Sequence, residues 1–150
     1  MKIGFIGFGE AAYNISQGLY EEGVRGIKAA DTMADHPVMG KLIHERAEEA
    51  HVELTSSSEE IADWADIVIA AVPSSYTLDV CETVKDHLGP DKIYADVSAS
   101  TPKTKEKVWE KIRTRAFYSR MPPCLALFRR PVIKCLSWPA ETALLPLWSR

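Results

Sequence analysis

The sequence predicts an α/β fold, a doubly wound parallel sheet with helices on both faces, and three observations carry that prediction. An apolar run, Ile3 to Ile6, enters Gly7-Phe8-Gly9, and Ala12 holds the third small position of a G-x-G-x-x-G/A pattern. A second short apolar stretch ends in Asp31, 22 residues beyond Gly9. From there to residue 112, strand-like and helix-like segments alternate, as repeated β-α units do.

Each element has its own local reason. The first helix covers Ala11 to Glu22, with Ile15, Leu19 and Tyr20 at helical spacing, and Gly23 ends it. Gly26 to Ala30 is the second strand. Thr32 to His36 form a loop, and Pro37 opens a helix whose apolar face is Met39, Leu42, Ile43 and Ala47. His51 to Leu54 is a short third strand. Ser56-Ser57-Ser58-Glu59-Glu60 offers a cap followed by acids in the first turn, and that helix ends near Trp64. Ile67 to Val72 is continuously apolar, the mark of a strand buried on both faces, and Pro73 stops it. A helix from about Tyr76 to Leu88 closes at Gly89-Pro90, and Lys92 to Asp96 forms a fifth strand. Thr101-Pro102 begins a last helix to Ile112, with Lys103, Lys105 and Lys107 expected on its solvated face.

The glycine motif makes a physical demand. Gly7 permits the tight turn out of the strand, Gly9 lets the backbone approach a pyrophosphate, and Ala12 lets the helix pack closely on the strand. The helix N-terminus then offers free N–H groups and the positive end of its dipole to the phosphates. Asp31 stands where an acid accepts hydrogen bonds from the ribose hydroxyls of NAD and repels the 2′-phosphate of NADP. The competing account of Asp31 is a solvated turn acid, and that of the glycines is a turn without a ligand.

The chain has 150 residues, 46% hydrophobic and 26% charged, enough for one soluble domain with a real core. Met1-Lys2 leads straight into the first strand without a signal-peptide pattern, and no apolar run reaches membrane-spanning length. Cys81, Cys124 and Cys135 show no C-x-x-C spacing, so the expected setting is a reducing cytoplasm. No metal site, membrane partner or nucleic-acid partner is expected. Cys81 falls in a helical pattern and reads as a small core residue.

Residues 1–112 hold 11 Lys/Arg against 20 Asp/Glu, a net −9, whereas residues 113–150 hold 7 against 1, a net +6. All eight glycines lie in the first segment, and five of the nine prolines lie in the second. The two pieces are differently composed. The dinucleotide-binding domain is therefore expected over 1–118, with 119–150 as a tail of another character.

Gly7-Phe8-Gly9, the strand ending in Val72-Pro73-Ser74, and Asp96-Val97-Ser98-Ala99-Ser100 resemble the motifs of the β-hydroxyacid dehydrogenases, which include 6-phosphogluconate and 3-hydroxyisobutyrate dehydrogenases. The resemblance covers roughly residues 1–118 and implies a Rossmann-type NAD(P)-binding half. By it, Gly7, Phe8, Gly9, Glu10, Ala11 and Ala12 cradle the pyrophosphate and Asp31 binds the adenosine ribose. Val72, Pro73 and Ser74 then line the adenine side, and Ser98 lies near nicotinamide and substrate. A helix cap or strand-end turn is the other account of Ser98. NAD is the expected cofactor, with NADP possible within the family and a small hydroxyacid as substrate. These enzymes draw their acid/base lysine from a helix beyond the Rossmann half. This sequence has no counterpart of it, so catalysis by this chain alone is not expected.

Beyond Arg120 the family pattern is lost: Met121-Pro122-Pro123-Cys124 opens a basic stretch with no glycine. Taking each codon as the last base of one residue and the first two of the next, Met121-Pro122 forces alanine. Lys134-Cys135 forces valine or methionine, Trp138-Pro139 forces alanine, and Glu141-Thr142 forces asparagine or aspartate. The permitted string D-A-A-M-L-G … V-P-I-x-A-S-G-N-G-A is what the family shows next, so a reading frame slipped near Tyr118 to Arg120 is expected. A membrane- or nucleic-acid-binding tail with Trp138 and Trp148 is the competing account. For the whole chain, the expected function is the dinucleotide-binding domain of a hydroxyacid oxidoreductase lacking its catalytic half. A binding module without catalysis and an inactive fragment with exposed sheet edges are the alternatives.

Overall fold

The computed structural model describes residues 1–113 and the backbone of 117–120. The expectations for the tail beyond Arg120, including the slipped frame, lie outside the described residues. Six parallel strands form one sheet: β1 (Ile3–Ile6), β2 (Ile27–Ala30), β3 (Val52–Leu54), β4 (Ile67–Ala70), β5 (Ile93–Asp96) and β6 (Phe117–Arg120). Their order is β3-β2-β1-β4-β5-β6. Between them run α1 (Glu10–Glu21), α2 (Met39–Glu49), α3 (Ser58–Trp64), α4 (Thr77–Val84) and α5 (Pro102–Ile112). This is the expected Rossmann-type doubly wound sheet.

Register places Ile6 of β1 level with Ala30 of β2 and Ala70 of β4, so three carboxyl ends finish together where the strand order reverses. Alternation along the strands divides the core. Ile3, Phe5, Ile27, Ala29 and Ile69 face Ile15, Leu19, Ile43 and Ala47 of α1 and α2. Ile6, Val68, Ala70 and Tyr94 face Ile61, Cys81, Val84, Val108 and Ile112 of α3, α4 and α5. Gly4 sits under α3, where an added Cβ would come within 2.4 Å of Ile61 Cγ2. Only a glycine permits that strand–helix approach.

The capping signals act as read. Ser57 Oγ accepts from the Glu60 amide at 3.2 Å, and Thr101 Oγ1 accepts from the Thr104 amide at 3.3 Å ahead of Pro102. Gly23, at φ +91°, ends α1 as Val24 N–H donates back to the Leu19 carbonyl at 3.0 Å. A contact the sequence did not announce closes α3: Lys92 Nζ donates to the carbonyls of Ala62, Asp63 and Ala65 at 2.6, 2.7 and 2.9 Å.

Four expectations need correction. Pro37 stands in a turn ahead of α2, which starts at Met39; His36 Nδ1 caps that turn by accepting the Val38 and Met39 amides at 3.2 Å each. Met39 and Leu42 are 44% and 40% exposed, leaving Ile43 and Ala47 as the packed face. The fourth helix stops at Val84, since the His87 amide bonds the Val84 carbonyl and tightens the turn. Lys105 is not solvated: it is 4% exposed and paired with Asp96, while Lys103 and Lys107 are exposed as expected. Cys81 is fully buried, and burial pushes its thiol up to about 11. It is a core residue, as read.

Candidate dinucleotide-binding site

The loop from β1 to α1 takes its shape from two glycines under opposite constraints. Gly7 has φ +84°, and a Cβ there would lie 2.7 Å from the Ala71 carbonyl oxygen and 2.8 Å from Val72 Cγ1. Both the backbone and its neighbours require glycine. Gly9 is extended, at φ −76° and ψ −167°, and a Cβ there would meet nothing within 4 Å. Space therefore stands open at the N-cap of α1, which no side chain caps. The amides of Glu10, Ala11 and Ala12, in the first turn of α1, have no partner within the helix.

The six loop residues do not contribute alike. Ala12 is fully buried and lets α1 lie close to the sheet. Glu10 is exposed and sets a carboxylate in the first turn of α1. Phe8 turns its ring into the core, 6.4 Å from Phe5 and edge-on. Its amide is already engaged, donating to Asp31 Oδ2 at 2.6 Å. Asp31, just past β2, accepts a second amide, Met33 N–H, on Oδ1 at 2.8 Å. The carboxylate is thus pinned at both oxygens, each retaining lone pairs for further donors.

Beside this loop lies a cavity of about 700 Å³. Its lining includes Gly7, Gly9 and Asp31, which follow β1 and β2, and Met33, Met39, Leu42 and Ile43 before and along α2. Val72, Pro73, Tyr76 and Val80, after β4, line it as well, as do Ser56 and Ser57 of the β3–α3 loop and Ser58 and Glu59 at the start of α3. Arg46, which also stacks 5.8 Å over the Tyr13 ring, is the one cation on the described lining, where Asp31, Glu59 and Asp79 are acids. The exposed apolar residues of α2 and the 58% exposed Tyr76 therefore have a place: they wall this cavity. Their signal in the sequence was an apolar stripe wider than the core could absorb.

Of the residues singled out in the sequence, Gly7, Phe8, Gly9, Asp31, Val72 and Pro73 line the cavity, and Glu10, Ala11 and Ala12 are not on its lining. Ser74, exposed in the 3-10 turn Ser74–Tyr76, does not line it, nor does Ser98. Ser98 follows β5, is 5% exposed, and its hydroxyl donates to Asp96 Oδ1 at 2.6 Å. Among the described residues, no three His, Cys, Asp or Glu side chains gather as metal ligands, and no helix is long and apolar enough to cross a membrane.

Comparison with known proteins agrees with this geometry. The chain aligns by fold with a conserved hypothetical protein from Sinorhizobium meliloti 1021, at 30% identity and TM-score 0.72, over 80% of this chain and 40% of that one. Mycobacterium tuberculosis 3-hydroxyisobutyrate dehydrogenase, solved with L-serine, aligns at 19% identity and TM-score 0.68 over 81% and 40%. An imine reductase from Myxococcus stipitatus in complex with NADP+ aligns at 12% identity and TM-score 0.63 over 80% and 40%. At such identities the last two show the fold alone, which is the fold that the motif resemblance to β-hydroxyacid dehydrogenases implies. The chain spans about 40% of the length of these structures. No curated protein sequence matches it. Residues 2–100, which take in the glycine loop, Asp31, the Val72-Pro73-Ser74 turn and Ser98, match the model of one oxidoreductase family. By that match the chain belongs to the NADP oxidoreductase, coenzyme F420-dependent, family, through a dinucleotide-binding domain.

Proposed function

We propose that residues 1–118 bind NAD as the hydride carrier of an oxidoreductase acting on a small β-hydroxyacid. The observation that carries this reading is the open space at Gly9, faced by the unpartnered amides that begin α1. A pyrophosphate fits there as an acceptor for several N–H groups at once. The ribose hydroxyls then reach the outer lone pairs of Asp31. An adenine ring would rest against the apolar lining that Met39, Leu42, Val72 and Pro73 supply. When bound, the nicotinamide takes up or releases the hydride.

NAD rather than NADP follows from Asp31. Its carboxylate is tied to two main-chain amides and has no free rotation by which to admit a 2′-phosphate. Arg46 is the one basic side chain on the described lining, and its guanidinium stacks 5.8 Å over the Tyr13 ring. Titration of the chain with NADH and NADPH by calorimetry tests this. Tighter NADH binding is expected, and tighter NADPH binding overturns the assignment.

Proton transfer falls to groups outside the described residues. Lys103 and Lys107 face solvent on α5, and Lys105 is closed off beside Asp96. Binding of NADH without turnover on a panel of small hydroxyacids is therefore the result expected of this chain. Turnover would assign catalysis to it as well. The tail from 121 to 144 is read as the family's own continuation in a slipped frame. Its DNA, read one frame over, should encode the D-A-A-M-L-G … S-G-N-G-A string, and stop codons there would end that idea.

A further inference from the structure

A second polar cluster stands at the carboxyl end of β5, apart from the cavity. Asp96 is fully buried and Lys105 is 4% exposed. Lys105 Nζ donates to the Asp96 main-chain carbonyl at 3.1 Å. It also lies 3.1 Å from Asp96 Oδ2, off the line of a hydrogen bond, so that contact is ionic. Asp96 Oδ1 accepts both the Ser98 amide, at 2.9 Å, and the Ser98 hydroxyl, at 2.6 Å. Ser98 Oγ accepts from Thr77 Oγ1 at 3.1 Å and meets Ser100 Oγ at 2.7 Å. Thr77 Oγ1 and Ser100 Oγ, 2.8 Å apart, close a triangle of hydroxyls.

Stability alone gives no reason for such an arrangement. A buried ion pair loses hydration that its mutual attraction barely restores, and apolar residues of similar volume commonly hold a core at least as well. What the cluster does provide is position. It ties four pieces together: the start of α4, the end of β5, the 97–100 loop and α5. A buried network of this kind, with Asp96 Oδ2 held by charge rather than by a hydrogen bond, restricts the groups it joins to few arrangements. The loop is also tied to β4, through Val97 N–H to the Ala70 carbonyl at 3.1 Å.

The location of that loop gives the position a purpose. The cavity lies toward β2 and β3, and the amides that begin α1 lie where the strand order reverses. A dinucleotide crossing that point must lay its second nucleotide over the carboxyl ends of β4 and β5. The segment leaving β5 is Val97 to Ser100.

We propose that Lys105 and Thr77 are positioning residues for the nicotinamide half of the dinucleotide. Neither touches the ligand; together with Asp96, Ser98 and Ser100 they hold the 97–100 loop at the height where it meets the second nucleotide. The proposal rests on the dinucleotide reading above, and the test separates the two. NADH and ADP-ribose share the adenosine and the pyrophosphate, and only NADH carries the dihydronicotinamide ring.

Both ligands are titrated by calorimetry into the full chain and into two variants. Thr77→Val removes a hydroxyl while keeping the side-chain shape. Asp96→Asn combined with Lys105→Met removes both charges together, so that neither is left buried and unpaired. The expected result is unchanged ADP-ribose affinity and a loss of NADH affinity of about threefold to tenfold, the cost of ordering a loosened loop on binding. Thr77→Ser should restore NADH affinity. Equal losses for both ligands, no loss for either, or equal wild-type affinity for the two overturns the positioning role. Wild-type binding of neither ligand overturns the dinucleotide reading itself, and this inference with it.

Discussion

Replacing Gly9 with valine should separate ligand binding from folding more cleanly than any other change in the chain. The backbone at Gly9 is extended, φ −76° and ψ −167°, a region open to β-branched residues, and its Cβ direction is empty to 4 Å. The fold therefore has room for the side chain. Valine caps a helix less well than glycine, which costs about 1 kcal/mol or less. The same space is where phosphate oxygens must come within hydrogen-bond range of the α1 amides. Two isopropyl methyls there keep at least one charge-assisted bond from forming, and such bonds are each worth about 1.5–3 kcal/mol. One or two of them lost is about 3 kcal/mol, or roughly a hundredfold in NADH affinity. Calorimetric titration reads the affinity, and a thermal melt followed by circular dichroism reads the fold. A well-folded Gly9→Val protein that binds NADH as tightly as wild type would falsify the site. The control is Gly7→Ala, which meets the Ala71 carbonyl at 2.7 Å and sits at φ +84°. There the strain falls on the fold, so a stability loss of about 2–3 kcal/mol is expected.

Three further outcomes follow from contacts already described. Asp31→Asn keeps the shape of the acid but gives up its charge, so NADH affinity should fall about tenfold and NADPH affinity less; an unchanged NADH to NADPH ratio counts against the ribose role. Lys92→Met leaves the Ala62, Asp63 and Ala65 carbonyls without their ammonium partner, and urea unfolding should show a loss of about 1–3 kcal/mol. Glu82 is bonded first by Lys111 and then by Lys85, which hold its carboxyl down from 4.5 to about 2. A pKa lower in the folded state stabilises above the ordinary value and is lost as pH falls through the folded one. The stability gap between wild type and Glu82→Gln should therefore shrink between about pH 4.5 and about pH 2, and also in high salt. A gap that stays constant through that range refutes the assignment.

The first five strands were legible because each carries its own signal, whereas β6 was not read from the sequence. The apolar run Ile67 to Val72 declared a doubly covered strand, although β4 itself ends at Ala70, and the glycine junction declared both β1 and α1. The lining of the cavity at the strand ends was legible for a related reason: Gly7, Gly9 and Asp31 shape it through backbone conformation and one acid, which sequence spacing can encode. What escaped was set by packing between distant segments. Lys105 reads as one of three solvated lysines on α5, and only the fold brings its ammonium to Asp96, nine residues back. The exposure of Met39 and Leu42 escaped likewise, because helical periodicity cannot tell a face against the core from a face against a cavity. Lys92 gave no signal at all, since the three carbonyls that it joins lie 27 to 30 residues away.

The bond from the Phe8 amide to Asp31 Oδ2 alters how the motif should be understood. If the glycine loop and the acid were independent, any acid near the end of β2 would serve, and the spacing between them would carry little meaning. Here the acid reaches across from β2 and holds the middle residue of Gly7-Phe8-Gly9, while Gly7 N–H holds the Ala30 carbonyl at 2.8 Å. Two contacts therefore join the glycine loop to the end of β2. On the proposed dinucleotide reading, the parts that would meet phosphate and sugar are one unit, set by the level register of Ile6 with Ala30. An exchange at Asp31 must consequently disturb pyrophosphate binding as well as ribose binding. ADP-ribose, which makes both contacts, should lose more affinity in Asp31→Ala than the ribose hydrogen bonds alone account for.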